Sequence, residues 1–310
     1  MATLTARISL KGDEPDGPED YLSTSLGVIF PDDIVNQHGD AEHSLLYASP
    51  KLPKTLLIEL ADPEGETDRR LFSHYLWNAS LLLAELIERD SLDDEEQDRG
   101  LGGDISFDTR GLHTLELGAG TALPSIMAGL LGAAGVVVTD YPAPAVMKTL
   151  RENVARNIKP DLAPVGKSSL VTTSILVEGH EWGVFDSSSA SSAFPSSHAH
   201  LSDRLFVADC LWMPWQHENL RRSIGYFLKK SAEARAWVVA GFHTGRAKMA
   251  PFFDAKALRE EGGVEVERMW ERDCDGVERE WDSEREDDIT ERKRWLVVCV
   301  LKRCEGVVDV

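Results

Sequence analysis

Only four cysteines occur in the 310 residues, Cys210, Cys274, Cys299 and Cys304. None forms a C-x-x-C pair or has zinc-site spacing, which argues against a disulfide scaffold and a structural metal; no metal is expected. Buried thiols in a reducing compartment are the expectation. Basic residues are scarce, 33 against 53 acids, for a formal net charge of −20. A phosphate backbone needs clustered cations, so a nucleic-acid partner is disfavoured, while long-range attraction favours a basic protein partner. Solubility alone also makes many proteins acidic. No apolar run approaches the roughly 20 residues of a membrane span. The first twenty residues carry Asp13, Glu14, Asp16, Glu19 and Asp20 and lack the basic-then-apolar order of a secretion signal. The expected compartment is the cytoplasm, with the nucleus as the alternative.

Several chemical signatures are missing as well. Val165-Gly166-Lys167-Ser168 resembles the end of a P-loop, but Asp161 stands where its first glycine belongs. No G-x-S-x-G occurs, which removes the α/β-hydrolase reading. The Asp/Asn-Pro-Pro-Tyr signature of adenine methylation is absent. His198 and His200 lie in a Ser-rich stretch without further ligand spacing.

Hydrophobic residues make up 42% of the chain, enough for the core of one large α/β domain. Residues 1–70 read as an acidic, partly irregular extension with a mobile start and one strand candidate at Leu56–Leu60. Phe72, Tyr75, Leu76, Ala79, Leu82, Leu83 and Leu86 recur at the helical period and predict a helix over 71–89. The acidic, glycine-ended segment 90–104 reads as a solvated linker. Beyond it, strand candidates at 112–117, 135–140, 169–177, 203–209 and 235–242 alternate with helix candidates at 122–132, 144–157, 214–230 and 252–262. Strands at 264–271 and 294–302 follow. This alternation predicts a doubly wound α/β fold with a mostly parallel seven-stranded sheet, one strand antiparallel, over 71–310, and a helical N-terminal extension. The Ser-rich run 187–198 and the charged run 275–294 are expected to be surface insertions.

The most informative stretch is Leu115-Glu116-Leu117-Gly118-Ala119-Gly120-Thr121, followed by Val136-Val137-Val138-Thr139-Asp140. An apolar strand enters a glycine turn and a helix, and a second apolar strand ends on a carboxylate. An acid at that tip can accept hydrogen bonds from both hydroxyls of a ribose. A dinucleotide fingerprint would need a third glycine at position 123, which is Leu123, followed by the helix-starting Pro124. Glu116 puts negative charge beside the turn, which repels a pyrophosphate and attracts a cation or amine. S-adenosyl-L-methionine meets these demands, with a ribose, a sulfonium, an amine and no phosphate. A purely structural strand–turn–helix would use the same glycines.

Asp209-Cys210-Leu211-Trp212 ends the fourth strand, where open α/β sheets bind ligands. Asp209 can accept hydrogen bonds from an amine and Trp212 can wall a pocket; a helix-capping acid and a core Trp would look the same. Trp182, in Gly179-His180-Glu181-Trp182-Gly183, can stack on an adenine or fill the core. Trp77 lies within the expected helix, on the flank of its apolar stripe, where core packing is the competing role.

Together these motifs resemble the class I methyltransferases, and within them the protein-lysine branch once labelled nicotinamide N-methyltransferase-like, which includes enzymes acting on elongation factor 1A. The resemblance covers roughly residues 71–302 and rests on Leu76-Trp77-Asn78-Ala79-Ser80, the glycine motif with Leu123-Pro124, Val138-Thr139-Asp140-Tyr141-Pro142, the Trp-Gly element of Gly179–Gly183 and Asp209–Trp212. It implies cofactor contacts from Trp77, Glu116, Gly118, Ala119, Gly120, Asp140, Tyr141, Trp182 and the Ala208 backbone, with Asp209 and Trp212 lining the amine channel. Trp212 replaces the branch's Tyr or Phe, and Met213-Pro214-Trp215 stand where Asn and His are usual. The expectation is a monomeric N-methyltransferase acting on a lysine or N-terminal amine of a basic, elongation-factor-like protein. A small-molecule N-methyltransferase and a non-catalytic cofactor binder are the alternatives.

Overall fold

Five parallel neighbours form the heart of the computed structural model, which describes residues 3–11, 35–39, 43–61, 75–92, 100–185 and 193–306. The chain opens with β1 (Ile8–Leu10), β2 (Gln37–His38), β3 (Leu45–Tyr47), β4 (Leu56–Ile58) and β5 (Leu76–Trp77), then α1 (Asn78–Ser91). Strand and helix then alternate through β6 (His113–Leu117), α2 (Leu123–Leu130), β7 (Gly135–Asp140), α3 (Pro144–Asn157), β8 (Ile175–Gly179), α4 (Phe194–His198), β9 (Arg204–Ala208), α5 (His217–Phe227), β10 (Arg235–Gly241) and α6 (Arg246–Met249). β11 (Val264–Asp273), β12 (Glu278–Glu280), α7 (Ile289–Arg294) and β13 (Trp295–Arg303) follow.

The main sheet runs β12-β11-β13-β10-β9-β6-β7-β8. β10, β9, β6, β7 and β8 pair in parallel, and β13 inserts antiparallel between β10 and β11. This is the expected seven-stranded sheet with one antiparallel member, extended by the three-residue edge strand β12. The central strands are apolar on both faces because helices cover both. Leu115, Leu117, Val136, Val138, Phe206, Val207, Val238 and Val239 are all buried. From β6 the chain winds outward through β7 and β8, then crosses back to β9 on the other side of β6. The direction of winding reverses at β6/β9, and the crevice beyond their carboxyl ends is the natural ligand site.

Four expectations need correction. Where described, the extension over 1–70 has one short helical turn, Leu4–Arg7, and is otherwise built on strands: β1, β3 and β4 form a separate antiparallel sheet. Its Leu45, Tyr47, Leu56 and Ile58 are completely buried in the same core as α1 and α2. The free edge of β4 is met by a helix in place of a strand. Asn157 accepts from Leu57 N at 3.2 Å and donates to Leu57 O at 2.8 Å, and Asn153 does the same for Glu59 at 2.8 and 2.9 Å. Two amides four residues apart on α3 thus substitute for a strand partner.

The helix expected from residue 71 begins only at Asn78, residues 71–74 lying outside those described. Leu76-Trp77 is extended instead, because it pairs with Gln37-His38, and Trp77 becomes the residue before the helix. The third strand, expected at 169–177, is shifted to Ile175–Gly179 because pairing with β7 sets its register at Val136↔Ile175.

In both supposed insertions, described residues are built into the fold. Residues 186–192 lie outside the described ones, but Phe194 is buried with its ring 5.6 Å from Phe227 and 6.4 Å from His180. Phe194→Ala should therefore lower stability by about 3 kcal/mol or more. Denaturant unfolding checks this, and an unchanged midpoint would show that Phe194 contributes nothing to the packing.

The charged run 275–294 contributes the edge strand β12 and closes an ion network. Glu271, fully buried, receives Arg246 at 2.6 and 3.1 Å and Arg279 at 2.7 Å. Arg285 Nη1 lies 2.8 Å from it, a charge contact without hydrogen-bond alignment. Asp287 of the run accepts from Arg246 at 2.9 and 3.0 Å and from Arg279 at 3.2 Å. Arg246 is also sandwiched by Phe242 and Trp281, 4.0 and 5.0 Å from the ring centroids. The run reads as a surface insertion because Arg246, the cation that ties it down, lies 41 residues from Asp287.

Candidate active site

Four strand ends build the site. β6 ends at Leu117, and the chain turns through Gly118 and Gly120, at φ +64° and +55°, into α2. At Gly118 the requirement is double: a Cβ there would sit 2.7 Å from Cys210 Sγ and 2.9 Å from the Trp182 ring. A Cβ on Gly120 would instead enter open space, which lets the loop backbone approach a ligand.

β7 delivers Asp140. Its carboxylate accepts from Gly120 N and Tyr141 N, each at 2.7 Å, and so braces the glycine loop. Burial pushes its pKa up to about 6, against the pull of those two backbone bonds. The segment after β8 brings His180, Glu181 and Trp182 to the cleft. His180 is held by Ser223 Oγ at 3.1 Å, and burial lowers its pKa to about 4, so it is neutral near pH 7.

β9 delivers Ala208, Asp209, Cys210 and Trp212. Asp209 sits at φ +58°, a left-handed conformation that aspartate tolerates better than most residues. Asp209 Oδ1 accepts from Gly241 N at 3.0 Å and lies 3.9 Å from His243 Nδ1. Burial raises its pKa, opposed by His243 and the Gly241 bond. Trp77 closes the opposite side, stacked on His243 with centroids 4.7 Å apart and planes at 22°. Trp212 stands edge-on to Trp215, whose ring is 71% exposed at the rim.

These residues enclose a cleft of about 870 Å³, open to solvent. Trp77, Gly118, Ala119, Gly120, Asp140, Tyr141, Trp182, Ala208, Asp209 and Trp212 all line it, so ten of the eleven expected site residues meet there. Tyr75, Ser80, Thr121, His180, Glu181, Cys210, Met213 and Gln216 also line it and were not assigned from sequence. Among the described lining residues none is a lysine or arginine, while Asp140, Asp209 and Glu181 are acids. A phosphate-bearing ligand would find no counter-charge there. A sulfonium cation with a ribose would find acids, aromatic faces and a glycine cradle.

Glu116 is the exception, and its expected contact is corrected. It does not line the cleft but lies behind the loop, completely buried, where Oε2 accepts from Ser125 N at 3.1 Å and Ser125 Oγ at 2.5 Å. It therefore ties β6 to the first turn of α2 rather than meeting a ligand. Burial raises its pKa to about 8, more than the Ser125 bonds lower it, so at neutral pH it is mainly protonated. The ionic attraction expected of it is absent. The folded state then binds this proton more tightly than the unfolded chain does. Stability from this group is complete below the ordinary glutamate range and is lost as pH rises toward 8. The slope should be up to about 1.4 kcal/mol per pH unit. Chemical denaturation between pH 5 and 8 should show this loss in wild type and a flatter profile in Glu116→Gln. Equal slopes would refute the assignment.

A profile of the lysine methyltransferase family matches residues 65–257, well over half of the chain. The chain belongs to the lysine methyltransferase family. Among its relatives is the "Protein N-terminal and lysine N-methyltransferase EFM7" of Gibberella zeae, 31% identical over 207 residues, covering 66% of this chain and 70% of the relative. The protein of the same description from Schizosaccharomyces pombe is 28% identical over 204 residues, covering 65% and 68%. Among solved structures, a putative SAM-dependent methyltransferase from Streptococcus mutans aligns with a TM-score of 0.51 at 11% identity, over 92% of this chain and 65% of that one. SMU.776, a putative methyltransferase complexed with SAH, aligns at 0.50 and 12% identity, over 92% and 65%. At such identities the two structures speak for the class I fold alone.

This methyltransferase is an S-adenosylmethionine-dependent N-methyltransferase, and the cofactor suits the cleft as built. A sequence signal did exist for one missed neighbour of the site. His243 follows a strand end by two residues, at the carboxyl edge where such folds bind ligands.

Proposed function

We propose that this methyltransferase modifies an amine of a protein, a lysine side chain or an N-terminus, on a basic partner resembling a translation elongation factor. The observation that carries this reading is the pairing of Asp209 with the aromatic walls Trp77 and Trp212 in a cleft whose rim is open. The net charge of −20 favours encounter with a basic protein. The exposed Trp215 offers a contact beyond the cleft that a small substrate would not need. The relatives' printed description, N-terminal and lysine methylation, points the same way.

Asp140 and the Gly118–Gly120 loop would hold the ribose and the amino-acid part of the cofactor, and Trp182 and Tyr141 would flank its base. The bound cofactor supplies an electrophilic methyl group. Asp209 would orient the acceptor nitrogen, and Trp77 and Trp212 would exclude water and favour cationic groups. We take the chain to act as a monomer in the cytoplasm or nucleus; among the described residues no helix is long and apolar enough to cross a membrane.

The test is incubation with radiolabelled S-adenosylmethionine and three acceptors: elongation factor 1A, a fungal proteome extract and a panel of small amines. Label in a protein, lost in a folded Asp209→Ala variant that still binds S-adenosylhomocysteine, is the expected result. Label only in a small amine would replace the protein reading, and no label anywhere would favour a cofactor binder without turnover.

A further inference from the structure

A lysine or N-terminal ammonium must lose a proton before its nitrogen can attack a methyl group, and most of the buried titratable groups of the site are already committed. Asp140 is committed to the Gly120 and Tyr141 amides, and Glu116 is bonded to Ser125 behind the loop. His180 is bonded to Ser223, and Cys210 is held as a thiol by burial.

We propose that His243 is the proton acceptor for the substrate ammonium, with Asp209 holding the nitrogen beside it. This rests on the N-methyl-transfer reading above. His243 Nδ1 stands 3.9 Å from Asp209 Oδ1, so a nitrogen hydrogen-bonded to Asp209 comes within one hydrogen bond or one water of the imidazole. That gap is longer than a hydrogen bond, and catalytic contacts often tighten only when substrate binds. Histidine is the side chain whose proton exchange falls nearest neutrality.

The ring is held in place by its surroundings. Trp77 stacks on one face at 4.7 Å. Gly241 leaves the space between the two groups clear: a Cβ there would lie 3.3 Å from His243 Nδ1 and 3.7 Å from Asp209 Oδ1. Three residues on, Arg246 anchors the loop to Glu271 and Asp287, turning its own charge away from the ring and into the buried network. Of the charged groups on the elements around the ring, Asp209 faces it from β9. Arg292 of α7 comes only to the Gly245 end of the loop, 4.0 Å from where a Cβ would stand. Trp77 contributes no charge. The imidazole side chain is 18% exposed, which leaves a way out for the proton.

In the step itself, one N–H bond of the ammonium breaks and its electron pair stays on the amine nitrogen. The proton bonds to the imidazole, which later releases it to water.

The experiment uses the intact protein with radiolabelled S-adenosylmethionine and the fungal extract, comparing wild type, His243→Gln and His243→Phe across pH 6–10. The phenylalanine keeps a ring against Trp77 without the nitrogens. At pH 7 both variants should label at least about 100-fold more slowly than wild type. The deficit should shrink toward pH 10, where the amine sheds its proton unaided. Affinity for S-adenosylhomocysteine and thermal midpoint should stay within threefold and a few degrees. A readout independent of turnover is the ring-nitrogen NMR titration of His243 with S-adenosylhomocysteine bound, whose midpoint should move in Asp209→Asn. Wild-type rates in His243→Phe, or a titration unmoved by Asp209→Asn, would overturn the proposal. An inactive wild type would overturn the parent reading and this one together.

Discussion

Replacing Glu271 with alanine should nearly abolish the fold, with a loss of at least about 3–5 kcal/mol in chemical denaturation. The carboxylate is fully buried and meets Arg246, Arg279 and Arg285 within 2.6–2.8 Å. Removing it leaves those guanidinium groups around an empty space, with Asp287 and the more exposed Glu291 as the remaining counter-charges among the described residues. Desolvated cations without their partner are among the most costly single defects a core can contain. Glu271→Gln keeps the shape and the acceptor oxygen and should fall between the two. A loss under about 1 kcal/mol for the alanine variant would mean that the network is solvated and that the 275–294 run is peripheral after all.

The second large effect concerns the cofactor. Asp140→Ala should weaken S-adenosylhomocysteine binding by about 1.5–3 kcal/mol, roughly 10- to 150-fold, measured by calorimetry on a variant shown to be folded. Two losses combine. The acceptor proposed for the ribose disappears, and the Gly120 and Tyr141 amides lose the oxygens that brace the glycine loop. Because burial places the pKa of this carboxyl near 6, wild-type affinity should also fall as pH is lowered from 7.5 to 5, while Asp140→Asn should lack that dependence. Unchanged affinity in the alanine variant would remove Asp140 from the ribose role. The same variant with normal affinity at pH 7.5 and a normal acid decline would move the titrating group elsewhere.

How much of this was legible beforehand differs from residue to residue. Gly118, Gly120, Asp140, Asp209 and Trp212 were legible because a class I fold places its chemistry at strand ends, and strand ends follow from runs of apolar residues broken by glycine or acid. Trp182 was legible as an aromatic after the third strand even though that strand's limits were displaced by several residues. Trp77 was found for its motif but placed in the middle of a helix. Helical periodicity cannot see that Gln37-His38 will pair with Leu76-Trp77 and delay the helix to Asn78.

Glu116 shows the opposite error. Its position beside the glycine turn is local and correct, but its direction is tertiary. The side chain points into the core toward Ser125, and burial there removes the charge that the sequence argument used.

From β6 to β10 the order of the strands, the glycine turn and the acids at the strand tips were therefore determined by sequence alone, because each depends on local periodicity or on conformations that few residues adopt. The tertiary structure alone decided what depends on contacts between distant segments. β3 and β4 join the main core through Asn153 and Asn157, 94 and 100 residues away from their backbone partners. Phe194 packs under a run that reads as a loop. Glu271 and Asp287 become one ion cluster around Arg246, and His243 meets Asp209 only because β9 and β10 lie side by side. The physical reason is common to all four. Burial and electrostatic partnership are properties of position in space, and the residues that share a position here are separated by tens of residues along the chain.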